Sequence, residues 1–205
     1  MFHSIEGIIE EAKSGHPFII TDDEDRENEG DIMIPAQYIT VEIINFMTMF
    51  ARGLICVAID QNIAKKLDLK LQYRRNVNEL DTAFAYSIDS IAGVSTGISA
   101  VDKAHTIKRL SDEDATVSDF KVPGHVFPII ARNNGLFERR GHTEAAIEIA
   151  KLANLKSAMV ICEIMNNDGT MARRNDLMDF SQKHNIKISS VTKIVQYIKC
   201  IKGVV

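Results

Sequence analysis

Residues 22–31 read Asp22-Asp23-Glu24-Asp25-Arg26-Glu27-Asn28-Glu29-Gly30-Asp31, placing seven carboxylates and one guanidinium in ten positions. Apolar runs flank them on both sides, Phe18-Ile19-Ile20 and Ile32-Met33-Ile34, each patterned as a buried strand, so the charges are tied to a folded core. Two carboxylates about 4 Å apart repel by roughly 1 kcal/mol in water and about 4 kcal/mol at the effective dielectric of a protein cleft. A splayed, hydrated turn tolerates that repulsion. A concave loop needs a cation, bound protons or basic partners. Oxygen donors of this hard type favour magnesium or manganese over zinc. An EF-hand is excluded: Asp25, Glu27, Glu29 and Gly30 mimic its opening positions, but the closing glutamate is replaced by Ala36 and the flanks are strand-like. In an extended chain Glu27, Glu29 and Asp31 point one way while Arg26 and Asn28 point the other, so a bend near Gly30 is expected to bring Arg26 and Asp31 together.

Three further groupings could do chemistry. Arg139, Arg140, Gly141, His142 and Thr143 stand at the mouth of an Ala/Ile-rich helix, where backbone N–H groups and the helix dipole favour a phosphate or carboxylate. Gly141 would permit close approach, and Thr143 would be either the helix N-cap or a ligand hydroxyl. The same residues would also serve as a capped helix with exposed arginines. Glu163 interrupts the apolar run Val160-Ile161-Cys162-Glu163-Ile164-Met165; burial there would raise its pKa toward that of a general acid or base, whereas an edge strand would leave it in water. His125, in Pro123-Gly124-His125-Val126-Phe127-Pro128, could shuttle protons near neutral pH or act as a hydrogen-bonded structural residue. Gly93-Val94-Ser95-Thr96-Gly97-Ile98-Ser99 is a hydroxyl-bearing loop able to face an anion, or simply a turn. A metal loop beside a basic anion seat is the pairing a phosphorylated sugar requires.

Periodicity supplies the elements that would position these groups. Helices are expected over 5–14, 41–50, 61–69, 100–110, from just after 141–144 to near 154, and 174–184, with a C-terminal one closing the 186–201 segment, and 111–114 reads as a further helix start. Strands are expected at 17–21, 32–36, around Cys56, at 83–88, after Pro123, around Cys162 and from 186. Without a regular strand–helix cadence or internal repeat, this order indicates an α+β fold, a mixed sheet with helices packed on its faces. The length of 205 residues suits a single domain, 1–205.

Composition narrows the function further. A net charge of -4 and scattered aromatics without tryptophan leave no footprint for nucleic acid. Cys56, Cys162 and Cys200 form no CxxC pair, which argues against a disulfide framework and for a reducing compartment. With no signal-peptide core and no apolar stretch of spanning length, a cytoplasmic protein without membrane contact is expected.

Four co-linear motifs, the acidic stretch 22–31, Gly93-Val94-Ser95-Thr96-Gly97-Ile98-Ser99-Ala100, Pro123-Gly124-His125-Val126-Phe127-Pro128 and Gly141-His142-Thr143-Glu144-Ala145, resemble those of the 3,4-dihydroxy-2-butanone 4-phosphate synthases. The resemblance implies a homodimer with active sites near the subunit interface, magnesium or manganese as the only cofactor, and ribulose 5-phosphate as substrate, split to the butanone phosphate and formate. It implies Glu27 and His142 as metal ligands, with Arg26 and Asp31 contacting substrate. Arg139, Arg140, Gly141 and Thr143 would hold the phosphate end near Thr96, and His125 and Glu163, with Glu27 and Asp31, would serve proton transfer. Cys56 falls at a family position close to substrate. This sequence departs by Asn133-Asn134-Gly135-Leu136 in place of a more glycine-rich stretch, and by Arg140 where a small residue is common. Ending at Val205, it is expected to act without the GTP cyclohydrolase II domain fused to some relatives. A metal-dependent sugar-phosphate isomerase or aldolase, or a non-catalytic phosphometabolite-binding module, would use the same pieces; only the synthase releases formate.

Overall fold

The computed structural model describes residues 2–203, apart from 74, 76, 77, 79 and 80. Seven strands, β1 (Phe18–Thr21), β2 (Gly30–Pro35), β3 (Cys56–Ile59), β4 (Ile88–Ser90), β5 (Phe120–Ile130), β6 (Ala158–Glu163) and β7 (Lys187–Ser190), form one mixed sheet in the order β4-β5-β3-β6-β2-β1-β7. Helices α1 (Ile5–Ser14), α5 (His142–Leu152) and α7 (Val191–Lys202) cover one face. Helices α2 (Val41–Phe46), α3 (Gln61–Lys66), α4 (Ala100–Ser111) and α6 (Arg174–His184) lie against the other.

The two-residue period of the strands builds both layers of the core. Along β2, Ile32 and Ile34 enter the layer under α2, α4 and α6, while Met33 enters the layer under α1, α5 and α7. Val160 and Cys162 face the first layer, Met159 and Ile161 the second. Because both faces are covered, these strands read as nearly unbroken apolar runs. Caps set the helix limits: the Ser4 hydroxyl accepts from Gly7 N–H and Gly15 ends α1 in the left-handed conformation, φ 71°. At the free edge of β7, the N-terminal segment runs alongside, with His3 N–H donating to the Ile188 carbonyl at 2.8 Å.

Several local expectations are corrected. The strand expected over 83–88 is only β4 at Ile88–Ser90; Phe84 and Ala85 form isolated bridges. Ala85 N–H donates to the Pro128 carbonyl, but Pro128 has no N–H to donate, so a continuous ladder cannot form there. Residues 111–114 end α4 rather than start a helix, with Asp112 as its C-cap. Arg109 gathers that turn, bonding Asp114 at 2.6 Å and Asp119 at 2.9 Å. The helix expected over 41–50 changes after Phe46 into a π-helical turn, Met47–Ala51, and ends at Arg52 with φ 69°.

Gly124 is the tightest point of the β4–β5 pairing, where an added methyl would overlap the backbone of Ile88 and Asp89. Gly124→Ala is expected to cost about 1–3 kcal/mol as backbone overpacking, read in a thermal melt as a midpoint lowered by roughly 3–10 °C. An unchanged midpoint would show that the strand pair yields freely.

Candidate metal centre

One end of the sheet carries the polar residues, and register explains their convergence. Asp31 is the β2 partner of Glu163 on β6. Asp31 shares the parity of Met33, and Glu163 that of Ile161, so both carboxylates point to the face covered by α5. Cys56 of β3 lies on this face as well. His142 is the first residue of α5, whose N-terminus overlies this end, and its Nδ1 stands 3.6 Å from Asp31 Oδ1.

Asp22, the residue directly after β1, organises the acidic loop. Its carboxylate accepts from the backbone N–H of Glu27 at 3.0 Å and of Glu29 at 2.7 Å, and from Arg26 Nη1 at 2.8 Å. The expected bend near Gly30 falls instead at Asn28, φ 56°, since Asn tolerates the left-handed region. Gly30 serves close packing: an added methyl would come within 2.6 Å of Leu177 on α6. Arginines quench much of the outer charge. Arg140 Nε bonds Asp23 Oδ2 at 2.6 Å, Arg174 pairs with Glu24 at 2.8 Å, and Arg173 donates to the carbonyls of Glu27 and Asn28. Arg26 also grips Glu27, at 2.7 and 2.9 Å.

The inner charges are treated differently. Burial drives the Asp31 carboxyl well above the usual range, reinforced by the neighbouring charges of Glu163, Glu27, Glu29 and Asp22. Burial likewise raises Glu29, with Glu27 adding to it. Burial pulls the His142 imidazole down to about 4, against the opposing attraction of Asp22. A neutral imidazole among carboxylates is a ready ligand. Asp22, Glu27 and His142 each offer a ligand atom, all within 4.8 Å of one another. Asp31 Oδ1 and His142 Nε2 are buried without a hydrogen-bond partner, and unsatisfied buried atoms of this kind fit a cation seat. The donor set, carboxylate oxygens with one imidazole, suits a hard divalent ion.

Glu163 is half-buried, and its Oε2 accepts from Leu54 N–H at 2.8 Å. Gly53 permits that approach, because an added methyl would lie 2.6 Å from Glu163 Oε2. The π-helical turn and the left-handed Arg52 thus deliver the chain to Glu163, a use typical of such irregular turns near functional sites. Cys56 is buried and burial pushes its thiol far up, so it sits there as a neutral side chain.

The residues expected to seat an anion are more enclosed than that reading implied. Gly141 is the N-cap of α5, and Thr143 is a buried helical residue, not the cap. Arg139 is buried, bonding Glu144 at 2.7 Å and Thr82 at 2.8 Å. Arg140 turns outward to Asp23 and Thr192. His125 does not join the cluster within the chain: β5 lies three strand spacings from β2, about 14 Å at ordinary sheet geometry. Instead its Nδ1 lies 2.8 Å from the buried Asp89, and Thr96 is exposed on the loop before α4. Asp22 and Asp89 were not singled out from the sequence. Asp22 was masked by its acidic neighbours, and Asp89, a single acid after Ile88, carries no signal until the β4–β5 register is known.

Fold and site together define a class: a mixed α+β sheet covered on both faces, with a carboxylate–imidazole cluster for a hard divalent ion at one sheet end. Residues 6–197 match the model of the 3,4-dihydroxy-2-butanone 4-phosphate synthases, and the chain belongs to that family. The riboflavin biosynthesis protein RibBA of Aquifex aeolicus is 48% identical over 198 residues, 96% of this chain and 49% of that protein. A 3,4-dihydroxy-2-butanone 4-phosphate synthase of Campylobacter jejuni is 44% identical over 196 residues, 96% of this chain and 58% of that protein. The chain thus spans about half the length of the curated relatives it matches. A crystal structure of a 3,4-dihydroxy-2-butanone 4-phosphate synthase in complex with two magnesium ions superposes with a TM-score of 0.93 at 32% identity, covering 100% of both chains.

Calorimetric titration with Mg²⁺ or Mn²⁺ tests the cluster. His142→Ala is expected to weaken divalent binding at least about tenfold, and Asp22→Asn, which removes both charge and loop organiser, by about 10- to 100-fold. Unchanged affinity in both variants would refute these assignments.

Proposed function

We propose that this chain converts D-ribulose 5-phosphate to L-3,4-dihydroxy-2-butanone 4-phosphate and formate, a carbon–carbon lyase step of riboflavin biosynthesis, with magnesium or manganese as cofactor. One observation carries the reading: Asp22, Glu27 and His142 bring three ligand-bearing side chains together, and Nε2 of that buried histidine has no hydrogen-bond partner, in a chain of this family. Glu27 and His142 would hold the cation, with Asp22 adjoining. When bound, the ion supplies Lewis-acid stabilisation of negative charge developing on neighbouring sugar oxygens.

The chain's own residues account for the remaining work. The substrate must lose a C3 proton and the C1 hydroxyl, shift a carbon, and release C4 as formate, so groups that hold and return protons are required. Asp31, whose carboxyl burial has raised, is suited to keep a proton that an exposed carboxylate would lose. Glu163 has one oxygen fixed by Leu54 N–H, which orients the other for proton exchange. Arg26 stands beside Glu27 to contact substrate oxygens. Gly141 and Thr143 at the start of α5, with Arg139 behind them, would receive the phosphate, and the helix N-terminus adds its own attraction for the anion. Arg140 reaches phosphate only by leaving Asp23.

The three strand spacings that separate His125 from the metal cluster support a homodimer in which His125 and the adjoining Thr96 loop approach the partner's cluster. Exposed Ile91, Ile98, Val101 and Val122 flank them and would be covered. Sedimentation should then give twice the chain mass; a monomer at assay concentration would refute the dimer. Among the described residues no helix is long and apolar enough to cross a membrane.

Incubation with ribulose 5-phosphate should yield formate that disappears with a chelator and returns with added Mg²⁺; absence of formate would overturn the reading. Glu163→Gln should fold and bind metal while turnover falls about 10²- to 10⁴-fold, the usual contribution of a positioned acid or base. Near-normal turnover would remove Glu163 from proton transfer.

A further inference from the structure

Asp89 is fully buried, and the metal cluster makes no use of it. Its Oδ1 accepts from the backbone N–H of His125 at 2.8 Å, and its Oδ2 lies 2.8 Å from His125 Nδ1. Lys121, on the same strand as His125, reaches Asp89 Oδ2 at 3.8 Å. From the other side the loop of Thr96 closes on the same carboxylate: Gly97, φ 91°, has no room for a side chain because a methyl would overlap the Asp89 carboxyl group. A second buried aspartate, Asp102 of α4, fixes that loop by accepting from Gly97 N–H at 2.9 Å and from Ser95 N–H and Oγ at 3.1 and 2.8 Å. Two buried carboxylates thus lock His125 and the Thr96 loop into one unit.

Asp89 already accepts from the His125 amide and faces Lys121, so its carboxylate serves as acceptor here and the Nδ1 facing it as donor. We propose that Asp89 is a positioning residue that holds His125 in the Nδ1-protonated tautomer, leaving Nε2 as the nitrogen that takes and returns the proton, while its packing against Gly97 sets the Thr96 loop beside that imidazole. This inference rests on the proposed function: on the homodimer in which His125 approaches the partner's cluster, and on the proton-transfer role that the family resemblance implies for it. The logic is that of a buried carboxylate orienting a catalytic imidazole, where the isosteric amide disfavours the required tautomer.

Two measurements test it on the full-length protein. In ¹⁵N-labelled protein at neutral pH, with the signal assigned through His125→Gln, the His125 ring shifts should report Nδ1–H; Asp89→Asn should move them toward Nε2–H. In the formate assay, Asp89→Asn should lower kcat by about 10²-fold or more with KM within about twofold, yet add no further loss in a His125→Gln background, the signature of one residue acting through another. A native Nε2–H tautomer, or an undiminished loss from Asp89→Asn in the His125→Gln background, would overturn the proposal. If the native chain forms no formate, the lyase reading fails, and the ring shifts alone then decide the role of Asp89. If Asp89→Asn does not fold, the native tautomer still decides it.

Discussion

Asp31 and Glu163 occupy paired positions on adjacent strands, both facing the N-terminus of α5, where the buried His142 ring waits. Bringing two carboxylates this close out of bulk water is the costly arrangement around which the surroundings are built. One oxygen of Glu163 is tied to Leu54 N–H, and the reach of that amide depends on Gly53 and the irregular turn before it. Asp31 responds by holding its proton more tightly. The adjoining loop holds its outer charges against Arg140 and Arg174, while Arg173 fixes its backbone. Residues distant in sequence thereby set how much negative charge the sheet end can concentrate.

The supporting arginines also join the layers mechanically. Arg140, just before α5, and Thr192, near the start of α7, both bond Asp23. Arg173 and Arg174, at the start of α6 on the opposite face, hold the loop backbone and Glu24. Helices from both sides of the sheet therefore meet at one acidic loop, so its conformation reports on the alignment of all three layers.

Much of this was legible in the chain. The flanking apolar runs marked β1 and β2, Gly15 marked the end of α1, and the order of elements without a regular strand–helix cadence indicated a mixed sheet with helices on its faces. The acidic and Arg-Gly-His-Thr motifs identified the halves that register then brought together. What remained hidden depended on long-range geometry. The bend at Asn28 follows from three hydrogen bonds to Asp22, and no local rule favours it over Gly30. Arg139 read as either part of an anion seat or an exposed arginine, and only the fold shows Glu144 and Thr82 enclosing it. The broken pairing around Ala85 follows from Pro128, more than forty positions later, which only the β-sheet partnership exposes.

The N-terminal segment lying along β7 has a bearing on solubility in a sheet whose outer strand would otherwise offer unpaired amides and carbonyls to any extended polypeptide. Its bond to Ile188 takes up an edge group at which a neighbouring molecule could begin to stack. Edge-to-edge polymerisation must first peel that segment away, so a few residues with no place in the chemistry guard the protein against its own aggregation.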